Sequence, residues 1–345
     1  MEIDRGSTQV NGREIVRRTL EFEYPERVAH SFPPSDLALV GVEMYHPDGE
    51  WRKIGDRAWR RTDEWGNVWG RVDDTSKGEI VKGALDDLND VETFPLPDFS
   101  NPEYYAKAKE RFASQPDRWH VGYIHGFTFS VARKLRRMEQ YLMDLILERE
   151  GIRALHDRID EQIKVQMARM REAGADSIII AEDWGTQTQT LINPKLWREE
   201  FKPRFVELCS YAHSLGLKMF MHSCGKMTAI VPDLIEAGVD LFQFDQPRIH
   251  GIDILKELQQ GGKVTFWCPI DIQTTLQTKD ETLVRQEARE LVEKLWRGRG
   301  GFIAGHYADE VSIGLEPKWQ QIASDEFSKR GRRELFTDAE QWRMD

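Results

Sequence analysis

The sequence is poor in cysteine and has no long apolar run. Its three cysteines, Cys209, Cys224 and Cys268, are too few and too scattered for a disulfide framework, which leaves them burial or thiolate chemistry. No stretch approaches the roughly 18 consecutive apolar residues of a membrane span, and the first residues lack the apolar core of a signal peptide. We therefore expect a cytoplasmic protein that does not contact a membrane.

An excess of basic residues is also missing. The 345 residues carry 48 Lys and Arg against 59 Asp and Glu, for a formal charge of -11. An acidic chain without a basic stripe argues against nucleic acid as a partner. The basic cluster at residues 133–137 could dock an acidic surface, but the preferred interpretation is a solvent-exposed helix face. With 40% hydrophobic residues, the chain is long enough to bury a large core.

Residues 1–116 have an irregular pattern. We predict a helix near residues 12–22 and a small β-hairpin where apolar and polar residues alternate around Gly66-Asn67, followed by a linker, FPLPDFSNPEYY. These features indicate an N-terminal extension or cap over residues 1–116. Residues 117–345 are predicted to form the catalytic domain, with the two parts in one structural unit.

From Trp119 onward, short apolar runs alternate with segments of helical period. The runs are WHVGYIHG, SIIIAED, KMFMHSCG, VDLFQFDQ, KVTFWCPID and GFIAGHY. Strand and helix in alternation predict a parallel sheet covered by helices. Because the repeats follow one another without a Gly-rich dinucleotide turn, the α/β class predicted is a (β/α)8 TIM barrel.

The ends of these predicted strands are unusually polar and aromatic, and active sites of such barrels lie at the carboxyl ends of the strands. The residues at these ends are His125, Glu182, Asp183, His222, Cys224, Asp245, Gln246, Trp267, Cys268, Asp271, His306 and Tyr307. Several strands therefore supply candidate catalytic groups to one rim.

His222-Ser-Cys224 is the sharpest candidate for a metal site. Residues two apart in a strand project to the same side, so the imidazole and the thiol could face one point. With His306 and Glu182 they form a donor set that suits zinc, and Cys268 is an alternative to His306. The competing interpretation is ordinary packing, with Cys224 as a small buried residue and His222 hydrogen-bonded in the core.

Three segments carry a resemblance to a known family. REIVRRTLEFEYPERVAH, AEDWGTQTQTLINPKLWREEFKPRF and HSCGKMTAIVPDLIEAGVDLFQFDQP resemble the uroporphyrinogen decarboxylase superfamily, and within it the zinc-dependent corrinoid methyltransferases. That branch has a His-x-Cys motif and a later Cys after the final barrel strand. His222 and Cys224 match the first two positions, and His306 stands at the third. Glu182 is implied as a fourth ligand or a group that substrate displaces.

The resemblance, together with the imidazole of His306 in place of a thiolate, points to the first component of an O-demethylase, the methyltransferase I type. Such a protein uses Zn²⁺ to remove a methyl group from a methoxylated, aromatic substrate and passes it to cobalamin on a partner corrinoid protein. With His306 in place of a second thiolate, the metal would be more electron-poor. It would then suit a Lewis acid that polarises the leaving oxygen of an ether. We assign catalytic roles to Glu182, His125 and Asp245. We assign substrate binding to a further set: Trp184, Trp267, Tyr307, Phe127, Gln246 and Asp271.

Other functions stay open at this point. One is methyl transfer from a methylamine or a thiol. Another is a lyase that resembles uroporphyrinogen decarboxylase. This lyase is disfavoured because the family's N-terminal Arg-rich substrate motif has no counterpart in the sequence. A third is a non-catalytic barrel that binds a corrinoid or tetrapyrrole. Barrels of this superfamily commonly pair, which leaves a homodimer open as well.

Overall fold

The protein was analysed as a computed structural model that describes residues 10–336. The strands in chain order are β1 (Ala29–His30), β2 (Leu37–Gly41), β3 (Arg52–Gly55), β4 (Ala58–Thr62), β5 (Val68–Arg71), β6 (Glu79–Lys82), β7 (Trp119–Tyr123), β8 (Ser177–Ala181), β9 (Lys218–His222), β10 (Leu241–Gln243), β11 (Thr265–Cys268) and β12 (Phe302–Ala304).

The helices in chain order are α1 (Gly12–Leu20), α2 (Ala106–Ser114), α3 (Thr128–Leu135), α4 (Met138–Leu147), α5 (Arg149–Glu172), α6 (Pro194–Glu200), α7 (Lys202–Ser214), α8 (Val231–Ala237), α9 (Pro247–His250), α10 (Ile252–Leu258), α11 (Glu281–Leu291) and α12 (Pro317–Arg330). Over residues 10–336, none of the helices is both long and apolar enough to cross a membrane.

The eight-stranded sheet confirms the predicted barrel. Its strands run in the order β1-β12-β11-β10-β9-β8-β7-β2, and every neighbouring pair is parallel. β1 and β2 stand at the two ends of this order, where the backbone N–H of Asp36 donates to the carbonyl of His30 at 3.0 Å. The sheet is therefore a nearly closed (β/α)8 barrel.

Two separate cores hold the barrel together. Inside it, Ile179, Phe220, Leu241 and Trp267 meet side chains of α1, whose Ile15 and Val16 are buried there. Outside it, the alternate residues of each strand pack against the surrounding helices. Strands buried on both faces read as continuous apolar runs, which is why the sequence showed them so clearly.

Residues 52–82 form a second, antiparallel sheet, β3-β4-β5-β6. β4 and β5 form the hairpin predicted around Gly66-Asn67, with Arg61 opposite Trp69. The first predicted helix is also confirmed, since α1 spans Gly12–Leu20 and is capped by the side chain of Asn11. We refer to residues 43–105 as the cap, because Trp65 and Phe99 pack into the core shared with the barrel helices.

The boundary predicted at residue 117 does not separate barrel from extension. β1 and β2 lie before it, yet they complete the barrel beside β12 and β7. β1 is only two residues long, and the proline-containing segment SFPPSD separates it from β2. A strand as short as β1 carries no periodicity of its own, and β2 is not set apart by the alternation of strands and helices that begins at Trp119, so the sequence pattern did not reveal either strand.

Candidate metal site at the barrel mouth

Three ligand atoms converge where β8 and β9 end. They belong to Asp183, His222 and Cys224 and all lie within 4.8 Å of one another. His222 Nε2 is 3.4 Å from Cys224 Sγ and 3.8 Å from Asp183 Oδ1. The structure therefore brings together the two residues of the His-x-Cys motif, and it adds the carboxylate of Asp183.

The loops after β8 and β9 fix this arrangement through backbone contacts. The N–H of Cys224 donates to Asp183 Oδ1 at 2.9 Å, and the N–H of Glu182 donates to the carbonyl of His222 at 2.9 Å. Gly225 has φ +74°, and a Cβ there would lie 2.2 Å from the carbonyl oxygen of Gly185. Only glycine permits this close crossing, which holds Asp183 beside the two motif residues.

Gln243 determines which nitrogen of His222 faces the cluster. Its Nε2 donates to Asp245 Oδ1 at 2.8 Å, so its Oε1 must point the other way and accept from His222 Nδ1–H. In the neutral imidazole the ring hydrogen then lies on Nδ1, and Nε2 presents its lone pair to Cys224 and Asp183. Metal-bound histidines are commonly oriented by such a second hydrogen bond.

The thiol of Cys224 is protonated unless something displaces its proton. Cys224 is exposed as a residue, but protein groups at the mouth surround its sulfur. This desolvation, together with the charges of Asp183 and Asp245, raises the pKa of Cys224 to about 12, while the charge of Lys77 works in the opposite direction. Metal binding here must release that proton, so its affinity will rise with pH.

The donor set fits a zinc ion. Bonds of about 2.3 Å to sulfur and about 2.0 to 2.2 Å to nitrogen and oxygen, at tetrahedral angles, separate the ligand atoms by roughly 3.4 to 3.6 Å. The observed separations of 3.4 and 3.8 Å are close to these values. Three protein ligands leave the fourth position of a tetrahedron for substrate, as in catalytic zinc sites. The exposure of Cys224 also disfavours the packing interpretation of the motif.

His306, Cys268 and Glu182 lie outside this cluster. His306 follows β12, and its side chain lines a cavity of about 430 Å³ with His30, Glu310 and Asp325. Cys268 is fully buried among the barrel helices, where burial raises the pKa of its thiol far above the usual range. Because residues alternate along β8, Glu182 points away from the barrel interior when Asp183 points toward the mouth.

Glu182 is a fully buried carboxyl group. Its Oε1 accepts from the N–H of Ser130 at 2.9 Å, at the start of α3, and its Oε2 is buried without a hydrogen-bond partner in residues 10–336. Burial, partly offset by the bonds from Ser130, raises the pKa of Glu182 to about 7. The group therefore changes charge near neutral pH inside the wall of the barrel.

This raised pKa predicts a pH dependence of stability. From about pH 4.5 to about 7, the native state keeps a proton on Glu182 that the unfolded state releases, so stability falls by about 3 kcal/mol in total as pH rises. Glu182→Gln should remove this dependence, since Gln keeps an acceptor for Ser130. Urea unfolding at several pH values measures it, with exposed Glu139→Gln as control. Parallel profiles for Glu182→Gln and the unsubstituted protein would contradict the expectation.

The other predicted catalytic residues have different surroundings. Asp245 lies near the cluster and holds Gln243, as described above. His125 is placed between two acceptors, Glu64 Oε1 at 3.0 Å and the carbonyl of Val42 at 2.6 Å. Burial opposes the imidazolium, but the bond to Glu64 prevails and raises the pKa of His125. His125 thus ties the cap to the barrel, and its two acceptors favour the charged form.

The predicted substrate-binding residues divide into two groups. Trp267 lies inside the barrel in register with Gln243, and its indole N–H donates to Ser31 at 3.1 Å. Tyr307 follows β12 and lies close enough to Lys77 to raise the pKa of Lys77. The remaining four are buried: Trp184 and Phe127 pack in the helix layer, Gln246 is buried, and buried Asp271 accepts from the backbone N–H groups of Gln273 and Thr274.

Sequence reasoning missed four residues near the cluster. Asp183 appeared among the polar strand ends but was passed over for its neighbour Glu182. Gln243 shares the period-two alternation that places Leu241 inside the barrel, and this signal could have identified it. Arg133 reaches to 3.9 Å from Asp183 Oδ2, and Lys77 comes from the cap; no local pattern indicated either position.

The role of Gln243 can be tested through metal affinity. Gln243→Leu should weaken zinc binding by about 10- to 100-fold, because His222 loses the acceptor that fixes its tautomer. Competition with a chromogenic chelator measures the affinity. Gln246→Leu is the matched control, since Gln246 Oε1 is buried without a partner in the described part of the chain. Equal affinities for both variants would contradict the assignment.

Comparisons with known proteins agree with this architecture. The solved structure of a methyltransferase from Methanosarcina mazei superposes with a TM-score of 0.59 at 16% identity, covering 93% of this chain and 86% of that one. A D-psicose 3-epimerase with D-fructose superposes over 71% of this chain and 88% of its own, at 9% identity and a TM-score of 0.43, too low to carry an argument. The former likeness shows the fold alone.

A sequence search of curated proteins gives no match. A family model does match, over residues 73–307, more than half of the 345-residue chain, and its description is uroporphyrinogen decarboxylase (URO-D). The matched range includes the cap sheet from β6 onward, β7 to β12 of the barrel, and all three cluster residues. The chain therefore belongs to the uroporphyrinogen decarboxylase family.

Proposed function

We propose that the protein is a zinc-dependent methyltransferase that removes a methyl group from a methoxylated aromatic compound and passes it to the cob(I)alamin of a corrinoid protein. The observation that carries this proposal is the convergence of His222 Nε2, Cys224 Sγ and Asp183 Oδ1 at the barrel mouth. Membership of the family and the methyltransferase fold of the structural neighbour add support by analogy.

The character of the donor set favours an oxygen leaving group. The cluster offers one thiolate, one imidazole and one carboxylate, so it is poorer in sulfur than a site with two thiolates. Fewer thiolates leave a metal less electron-rich and less suited to activating a sulfur nucleophile. A zinc ion held there would supply a Lewis acid that stabilises the negative charge developing on the leaving oxygen.

The surrounding side chains would hold an aromatic ring at this position. Val121 of β7 faces the barrel interior, so Tyr123, two residues later, faces the mouth, where it is 38% exposed. Trp267 lies on the interior side of β11, and Tyr307 follows β12, half-buried. Aromatic walls favour a flat substrate over an aliphatic methylamine.

In this reaction the protein would orient the cluster side chains and stabilise the charge that develops on the substrate oxygen. The methyl group leaves without its bonding electron pair, which stays on the substrate oxygen, and forms its new bond with the electron pair of the partner's cob(I)alamin. Asp183 is held for this purpose by Cys224 N–H and faced by Arg133. Gln243 and Asp245 keep Nε2 of His222 directed into the mouth.

The proposal can be tested with purified protein and free cob(I)alamin. We expect about one zinc per chain by metal analysis and conversion to methylcobalamin, followed by absorbance, with at least one member of a methoxyarene panel. Methylamines and methylated thiols are included as competing donors. Bound zinc without conversion by any methoxyarene would contradict the aromatic-ether assignment, and conversion only with an amine or a thiol would replace it. His222→Ala should lose both zinc and turnover.

A further inference from the structure

One cation of the cap reaches across to the loop that follows β12, at the mouth of the barrel. Lys77 lies between β5 and β6, in a turn where Asp73 Oδ1 accepts from the N–H groups of Thr75 at 3.1 Å and Ser76 at 2.7 Å. Gly78 has φ +81°, and a Cβ there would lie 2.7 Å from the Trp51 ring. The loop therefore has a defined shape that directs Lys77 away from the cap sheet.

The Lys77 ammonium meets an exposed partner on the loop that follows β12, at the carboxyl end of the barrel strands. Its Nζ is 3.4 Å from Asp309 Oδ2, on the loop after β12, and the two side chains are 74% and 47% exposed. Partial burial opposes the charged form, but Tyr307 and Asp309 raise the pKa of Lys77, and its charge acts on the Cys224 thiol. An exposed ion pair of this kind contributes little free energy and is readily exchanged.

Arg133 offers a contrast on the same site. Its guanidinium is 3.9 Å from Asp183 Oδ2, its side chain is only 19% exposed, and it lies over the ring of Phe129 at 5.0 Å. Arg133 is therefore held in place by Asp183, a candidate metal ligand, and by Phe129 of the barrel wall. Lys77 is instead a cation whose exposed carboxylate partner can swing into solvent and leave its place to the carboxylate of a ligand.

We infer that Lys77 binds a carboxylate carried by the substrate, and that Asp309 marks the position this carboxylate takes. The inference rests on the proposed function and narrows its substrate class to methoxylated aromatic acids. An aromatic ring between Tyr123 and Trp267 would direct its ether toward the cluster while its acid group meets Lys77 at the rim. Lys77 would then be a specificity residue, touching a part of the substrate that does not react.

Binding and turnover of a matched pair of compounds test this inference. The pair is 3-methoxybenzoate and 3-methoxybenzyl alcohol, which differ in the acid group. Calorimetric titration of the zinc-loaded protein gives affinities, and methylcobalamin formation gives kcat and KM. We expect Lys77→Met to weaken benzoate binding and raise its KM by about tenfold or more. The alcohol should be unaffected, and Asp309→Asn should tighten benzoate binding.

Lys82→Met is the control, since it removes the same charge from an exposed position on the same cap sheet. Equal use of the two compounds, or no binding of benzoate, overturns the inference. A fall in kcat for both compounds in Lys77→Met also overturns it, because Lys77 would then act on the leaving oxygen. Lys77-dependent benzoate binding without methyl transfer would uphold the inference and refute the proposed function.

Discussion

Cys224→Ala should lose zinc and, with it, methyl transfer. Apparent binding free energies of roughly 10 to 16 kcal/mol in zinc sites with four ligands correspond to about 3 kcal/mol per ligand, so removal of one ligand should cost about 100- to 1000-fold in affinity. The fold should persist, because Cys224 is exposed and outside both cores. Metal analysis after dialysis against a weak chelator measures the loss, and circular dichroism checks the fold.

Three single variants decide which residues complete the site. Cys268→Ala and His306→Ala remove the third ligands that the sequence suggested, and both should retain zinc, because neither residue lies in the cluster with Asp183. Asp183→Ala should lose zinc as Cys224→Ala does. Loss of zinc from His306→Ala, with zinc retained in Asp183→Ala, would contradict the assignment and restore the ligand set that the family resemblance implied.

The barrel could be predicted from sequence because each strand and helix has a pattern of apolar residues that is visible within its own segment. β8 to β12 are short apolar runs buried on both faces and separated by amphipathic helices, and this rhythm has few alternative folds. The cap is different. Its four-stranded sheet is held by partly exposed arginines over tryptophan rings, such as Arg61 between Trp51 and Trp69, and by docking onto α3. The docking contact, between Trp69 and Lys134, joins residues far apart in sequence, and neither kind of contact leaves a periodic trace.

The candidate site was predicted in part for a related reason. His222 and Cys224 are two residues apart on one strand, so their convergence follows from strand geometry alone. Asp183 and Glu182 are adjacent, so only one can face the mouth, and the sequence does not show which. His306 failed to join the cluster because the alternation along β12 places Ile303 inside the barrel, and therefore turns His306 outward.

The basic segment at residues 133–137 shows how tertiary structure overrides a surface pattern. The interpretation as a solvent-exposed helix face is wrong for most of it. Arg133 faces Asp183, Lys134 lies over Trp69 of the cap, and Arg136 is buried against the cap, whereas Arg137 is exposed. A helix face that looks solvated in sequence becomes an interface when a distant segment with matching acceptors folds over it.

Arg136 gives the largest expected effect on stability. Its Nε donates to Asp144 Oδ2 at 2.8 Å, and its Nη1 donates to the carbonyl of Leu85 at 2.9 Å, with the two charged side chains 6% and 2% exposed. Arg136→Met would leave the Asp144 charge buried without its cation and a cap carbonyl without its donor. Breaking such a pair costs about 3 to 5 kcal/mol, so we expect a loss of this size in the free energy of unfolding.

Arg137 supplies the control for this prediction, and a double substitution tests whether the unpaired charge of Asp144 causes the loss. Arg137→Met removes the same group from a side chain that is 54% exposed and 3.9 Å from Glu139, and should change stability by less than about 0.5 kcal/mol. The double variant Arg136→Met/Asp144→Leu should recover much of the loss, because no buried charge is left unpaired. Urea unfolding measures all three. A double variant as unstable as Arg136→Met would show that Arg136 acts through the cap carbonyls, and that docking of the cap, which carries Lys77 to the mouth, depends on them.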